Sequence, residues 1–446
     1  MKVYALYAAV ILAGLGAGYV SRRLRHPLIV TWGVYAIFAA VLAAVIWNYS
    51  QPEVFLNDFK RAYYPGGEFI RDDPDELYAG DEPLRFVNIP IIAWLFAPFT
   101  LMSVDTAGAL MTALGIAAVV ASFAALVWFA GLSGERALLL AGAFVISGPL
   151  YYSLREGNTS HVVLLMLIGM AFCVRSRRYG WAGVFLAAAT LIKPPLGLIA
   201  LPFVMRERWS FIATFAMTGA LAGGLSLALY GLDLHRDWYD YSVRPYSEHP
   251  LGAENVQSLD GVLARFWTDD YLDRFVPIES LGAGFRTLRT AIAGMILVGA
   301  GYVMWRGRRT NASAELVDAC TALCLALLLA PTSWTHYYLL LLLPVGLMIA
   351  GTLGLPWTRL RLAAAIAGVV LISPPVIFID PDYPILEWLV PRVLISHYFF
   401  GGVVILGLLL ESRWRLGRRQ DEEQRALADE VASSRPSATA VASRSV

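Results

Sequence analysis

Long apolar runs separated by short polar or basic caps make up most of this chain. They lie at about 3–20, 28–48, 106–130, 137–153, 160–174, 210–231, 284–305, 316–330, 336–354, 362–379 and 390–411. Each approaches the roughly 20 apolar residues that cross a bilayer as a helix, some a little short. Two further runs are interrupted, 89–102 by Pro90 and Pro98 and 181–205 by Lys193-Pro194-Pro195. Proline removes a helix hydrogen bond and clashes with the preceding turn. The first of these is therefore expected to dip into the membrane or lie along it, and the second to enter, turn at the prolines and return. The pattern predicts an all-α, polytopic integral membrane protein with about 11–13 transmembrane helices.

Composition agrees with that reading. The sequence is 58% hydrophobic and 15% charged, with a mean hydropathy of +0.59, against about 25% charged in soluble domains. A net charge of +1 argues against a nucleic-acid surface. The run at 3–20 is followed, not preceded, by its basic cluster and lacks a small-x-small site, so it is read as an uncleaved span. Cys173, Cys320 and Cys324 all fall in apolar runs and read as small packed residues. Residues 1–27 are expected to form an N-terminal helix and basic loop, 28–411 the main transmembrane domain, and 412–446 a basic, disordered cytoplasmic tail.

Charge placement orients the spans. Basic clusters occur at 22–25, 175–178, 206–208, 306–309, 359–361 and 413–419. All six reach the cytoplasm if 89–102 and 181–205 do not cross, as the positive-inside rule asks. The C-terminus is then cytoplasmic, and two large loops, 49–88 and 232–283, lie outside with 154–159, 193–195, 331–336 and 380–389. The first loop carries four basic and nine acidic residues, the second four and ten. The polar chemistry is gathered on one face.

Several residues on that face could carry chemistry. Asp58 sits about ten residues past the second span among Phe55, Phe59, Tyr63 and Tyr64. An apolar setting raises a carboxyl pKa toward the range useful to a base, although a solvated loop acid is the plainer alternative. Lys193, on a hairpin with arms of about 18 Å against a hydrocarbon core of roughly 30 Å, would lie part-way across. Such a cation needs a wet cavity or an anion, unless it snorkels or the run is one kinked span. Arg155–His161, with Asn158, and Ala330–Tyr338, with Trp334 and His336, are polar caps that could equally end helices or form an interfacial aromatic belt. Asn255, Gln257, Ser258 and Arg265 precede an amphipathic stretch. "DDPD" and "DPD" are weak matches to a nucleotide-sugar motif, and no metal-ligand spacing appears. No cofactor is called for; a divalent ion stays open.

Taken in order, "NDFKRAYY", "FVNIPIIAWLFAPF", "REGNTSHVVLLML", "LIKPPLGLIALPF", "NVQSLDGVLARF" and "APTSWTHYYLLLLLP" resemble glycosyltransferase family 87. These are membrane enzymes of the GT-C fold, similar to polyprenol-phosphate-mannose-dependent α-mannosyltransferases. The resemblance covers about 54–345. It departs at Gly157-Asn158-Thr159-Ser160, where the family commonly has Gly-Gln-x-Asn. It implies an inner-membrane enzyme with an extracytoplasmic active site. Such an enzyme moves a sugar, mannose in the family's best-known case, from a polyprenyl-phosphate donor to a lipid or glycan acceptor. Asp58 would be the base of an inverting transfer, with His336 also in the catalytic set. Lys193, Arg265 and His336 would hold the donor phosphate. Asn57, Tyr63, Tyr64, Asn158, Asn255, Gln257, Ser258 and Trp334 would line the substrate site. The alternative is a flippase or transporter of lipid-linked sugars, which predicts repeated halves and midplane charges; no repeat is evident.

Overall fold

A computed structural model describes residues 55–79, 85–268, 275–279, 281–306, 312–374 and 388–434. The expected spans at 3–20 and 28–48 lie outside them. Every regular element described is helical, with a single isolated bridge between Val256 and Trp334.

After Asp58 the chain enters through a π-helical turn, Phe59–Tyr63, into α1, Tyr64–Asp72. The 89–102 stretch does not form a span. It holds only α2, Pro90–Ala93, and a 3-10 turn, Ala97–Leu101, and packs on α1 and on the long helix Trp209–Trp238. Then follow α3, Val104–Ala130; α4, Glu135–Val145; α5, Gly148–Arg155; and α6, Ser160–Arg175. The expected span at 137–153 is α4 and α5 together, bent by 53° where Ser147 caps α5 ahead of Pro149.

The 181–205 run folds as α7, Tyr179–Ile192, a 3-10 turn, Pro194–Ala200, and α8, Leu201–Met205. Lys193 is extended (φ −134°, ψ 88°), as a residue before proline must be. Gly197 then comes back to Thr190: a Cβ on it would be 3.4 Å from Thr190 Cγ2. Seven residues of continuous helix would separate the two by about 10 Å, so the chain reverses at the prolines.

α9, Trp209–Trp238, packs closely on α7. A Cβ on Gly183 would meet Phe211 O at 2.4 Å, so only glycine permits this approach. The remainder comprises α10, Leu259–Trp267; α11, Gly282–Arg306; α12, Ala312–Leu329; a 3-10 turn, Thr335–Leu341, leading into α13, Leu342–Ala350; α14, Arg359–Leu371; and α15, His397–Ser434. α12 is the buried axis, contacted by α6, α15 and the 194–200 turn. α9 and α11 leave most of their apolar residues exposed, as lipid-facing helices do.

Among the described residues four helices are long and apolar enough to cross a membrane, or five if the bent pair is one span. The expected 11–13 covers the whole chain, with the runs at 3–20 and 28–48 outside the described residues; within them several apolar runs are split into helices of 10–17 residues. α15 also passes the boundary expected at 411. Ser412 and Arg413 are buried, and Arg413 Nε donates to Asp318 Oδ1 at 2.9 Å.

That contact belongs to an ionic layer at the N-terminal end of α12. Arg206 and Arg413 both pair with Asp318, and Arg208 pairs with Glu315. Tyr179 donates to Glu315 at 2.7 Å, Arg306 lies over the Trp414 ring, and Arg361 pairs with Glu411 at 2.7 Å. Sequence reading had singled out neither Glu315 nor Asp318.

Candidate active site

The opposite end of α12 leads into the 331–336 segment, and here the polar residues converge. The 56–59 segment is clamped to the cap after α5. Leu56 N–H donates to Arg155 O at 2.7 Å and Phe59 N–H to Glu156 O at 3.1 Å. Asn158 Nδ2 donates to Asp58 Oδ2 at 2.8 Å. Asp58 is half-buried. Burial pushes its carboxyl up from 3.8 to about 6; the Asn158 hydrogen bond, Lys193 and Arg155 pull it down, while the Glu156 carboxylate pushes with burial.

Lys193 comes from the Lys-Pro-Pro reversal and is 3% exposed. Its Nζ stands 3.7 Å from the centroid of the Tyr337 ring. No hydrogen bond or ion pair reaches that ammonium among the described residues. The turn is held from the outer loop: Asn88 Nδ2 donates to Ile192 O at 2.7 Å, and Tyr78 OH donates to Asn88 O at 2.5 Å. His336 and Tyr337 start the 335–341 turn. Lys193 influences both His336 and Asp58, and Tyr337 lies within reach of Asp58. Among the described residues His336 Nε2 has no hydrogen-bond partner. His161, on α6, holds Ser153 Oγ through Nδ1 at 2.9 Å and also lies near His336.

The structure thus brings Asp58, Asn158, Lys193 and His336 into one cluster, and adds Tyr337, His161 and Asn88, which sequence reading had not placed there. Tyr337 had been read as part of an interfacial belt. Tyr63 joins the edge of the cluster, stacked on Phe96 with centroids 4.5 Å apart and close to Asp58. Asn57 adjoins Asp58, half-buried.

The other expected residues have different partners. Tyr64 OH donates to Met102 O at 3.0 Å and so ties α1 to the 97–101 turn. Arg265 gives its Nη1 to Ala253 O and Val256 O, each at 2.9 Å, and its Nη2 to Ser396 Oγ at 3.0 Å. These contacts fold the loop and leave Arg265 3% exposed. Gln257 Nε2 donates to Glu254 O and Ile395 O, and Ser258 Oγ to Pro331 O. Asn255 O accepts from Thr335 N–H and Thr335 Oγ, while Trp334 bridges Val256. This outer-loop segment pairs with 331–335 and fixes the turn that carries His336 and Tyr337. Among the described residues no three His, Cys, Asp or Glu side chains group closely enough to hold a metal ion.

Apolar helices around a cluster that sets a raised-pKa carboxyl near a buried cation fit a polytopic membrane enzyme. The chain belongs to glycosyltransferase family 87, which it matches over residues 86–331; it is a glycosyltransferase. Asn158 and Lys193 lie within that stretch, Asp58 and His336 outside it. The chain is 24% identical over 315 residues to a polyprenol-phosphate-mannose-dependent alpha-(1-2)-phosphatidylinositol pentamannoside mannosyltransferase of Mycolicibacterium smegmatis, covering 69% of this chain and 72% of the relative. It is 26% identical over 389 residues to a polyprenol-phosphate-mannose-dependent alpha-(1-2)-phosphatidylinositol mannoside mannosyltransferase of Mycobacterium tuberculosis, covering 81% and 80%. Among solved structures it is similar to ArnT from Cupriavidus metallidurans bound to undecaprenyl phosphate, at 12% identity, TM-score 0.42, and 91% and 81% coverage.

Proposed function

We propose that the protein transfers a sugar, mannose by the names of its relatives, from a polyprenyl-phosphate donor to a lipid acceptor at the extracytoplasmic face. Asp58 takes the proton of the acceptor hydroxyl as its oxygen bonds to the anomeric carbon. The bond from that carbon to the phosphate oxygen breaks on the far side, its electron pair leaves with the polyprenyl phosphate, and the configuration inverts. The leaving group is already ionised, so it needs positive charge and donors rather than an acid. Lys193 supplies the charge, and His336, whose Nε2 is unspent, supplies a donor.

The observation that carries the reading is Lys193: a buried ammonium with an aromatic face beneath it and, among the described residues, no carboxylate in ion-pair contact. An uncompensated buried cation is costly, and a phosphate arriving with the donor supplies the missing partner. The test measures radiolabelled mannose transfer from polyprenyl phosphate mannose to phosphatidylinositol mannosides in membranes. Lys193→Ala should raise the donor KM and lower kcat, with roughly 100-fold or greater loss in kcat/KM, the order of one lost charge-assisted contact. Unchanged kinetics in a folded Lys193→Ala protein would remove the phosphate role.

A further inference from the structure

We infer that Asn158 is a positioning residue for Asp58 and not a substrate ligand; the inference rests on Asp58 being the base. The Asn158 side chain is held at both ends. Its Oδ1 accepts from Ser160 N–H at 3.0 Å and from Ser160 Oγ at 2.7 Å. Turning the amide over would set its NH2 against the Ser160 N–H, so the orientation is fixed. Nδ2 is thereby committed to Asp58 Oδ2. With Oδ2 engaged, Oδ1 is left as the atom that takes the proton. Asn158 itself is 5% exposed, which leaves it little surface to offer a sugar.

The backbone around it has the same purpose. Leu56 has φ +61°, a left-handed conformation that a bulky residue adopts only under strain. The π-helical turn that follows Asp58 is a rare geometry that is frequent at functional sites. Strain of this kind persists only where surroundings over-determine it. Here the 155–158 cap does so, through the two backbone bonds from Leu56 and Phe59. It also presses closely: Gly157 has φ +66°, and a Cβ there would be 2.7 Å from Phe59 Cβ. The cap therefore sets both the position and the rotation of the Asp58 carboxylate.

The charged and titratable groups facing Asp58 are Glu156 and Arg155 from the cap, Lys193 from the Lys-Pro-Pro turn, Tyr63 from its own turn and Tyr337 from the 335–341 turn. None of these changes in an Asn158 variant, so a shift in pH dependence reports the amide contact. Asn158→Leu removes a hydrogen bond to the charged carboxylate. The acid limb of the kcat/KM profile should move up by about one pH unit, and kcat should fall about tenfold with donor and acceptor KM unchanged. Asn158→Asp, which keeps the size, sets a second carboxyl against Asp58 and should move the limb further up.

A substrate ligand at this position would raise KM and leave the limb in place. That result in both variants overturns the inference. Asp58→Asn is run beside them: if it transfers normally, the base assignment itself fails. If it is inactive while the Asn158 variants keep the wild-type profile, only the positioning role fails.

Discussion

Asp58→Asn should abolish transfer and yet make the protein more stable at neutral pH. Burial raises the folded-state carboxyl from 3.8 to about 6. The fold therefore favours the protonated acid, and its contribution to stability is complete below the unfolded value near 4 and lost as pH rises through about 6. About two pKa units at 1.36 kcal/mol each give at most ~3 kcal/mol of destabilisation carried by the ionised side chain at pH 7.5. An asparagine is nearly isosteric, bears no charge and can still accept from Asn158. The attraction of Lys193 is already contained in that net upward shift, so ~3 kcal/mol is the upper bound of the stabilisation. Thermal unfolding in detergent, followed by tryptophan fluorescence, reads it directly. The variant should melt above wild type at pH 7.5, the gap should close by pH 4.5, and wild-type transfer should fall away below about pH 6. An inactive variant that melts lower at every pH would mean that the carboxylate is a structural ion, and the argument for a base would collapse.

Asp318→Ala should cost about 3–5 kcal/mol, read as a lowered unfolding midpoint with unchanged kcat/KM per folded molecule, because it strands two buried guanidiniums, Arg206 and Arg413. Gly183→Val should block the α7–α9 approach and yield little folded protein by size-exclusion chromatography, since even a Cβ would meet the Phe211 carbonyl. Cysteines at exposed Val276 and Ser176 should differ towards an impermeant maleimide. The first should react in intact cells and the second only after permeabilisation, with little background because Cys173, Cys320 and Cys324 are buried; the reverse pattern would invert the topology.

The sequence made legible whatever depends on local pattern. The Lys-Pro-Pro reversal and the failure of 89–102 to cross follow from proline chemistry, and both are in the fold. Asp58 stood out because it is a carboxylate among aromatics. What pattern could not reveal is which polar groups spend their capacity on the protein. Arg265 looks like an anion binder in the sequence and turns out to donate to Ala253, Val256 and Ser396. Gln257 and Ser258 look like sugar ligands in the sequence and turn out also to close the loop through Gln257 Nε2 and Ser258 Oγ, while Gln257 Oε1 keeps no partner among the described residues. Tyr337 looked like an interfacial ring, and nothing 144 positions away announced the lysine above it. Asp318 was hidden for the same reason, its partner Arg206 lying 112 residues away. The run ending at 411 gave no sign that Arg413 beyond it would be buried.

One geometric consequence joins the two polar layers. α12 has 18 residues, about 27 Å of helix, close to the roughly 30 Å of a hydrocarbon core. Glu315 and Asp318 near its start gather Arg206, Arg208 and Arg413. Arg306 and Arg361 are held against α15 through Trp414 and Glu411. Basic clusters that are far apart in sequence are thus anchored at one end of the molecule. The segment after its other end carries His336 and Tyr337 and meets Asp58 and Lys193. A membrane positioned by its positive-inside charges would leave that pocket at the opposite surface. The ionic layer thereby supports an outward-facing site, and it does so with contacts that take no part in the chemistry. Under the proposed function, a lipid phosphate bound there would set its head at Lys193 and leave its chain in the apolar layer between the two.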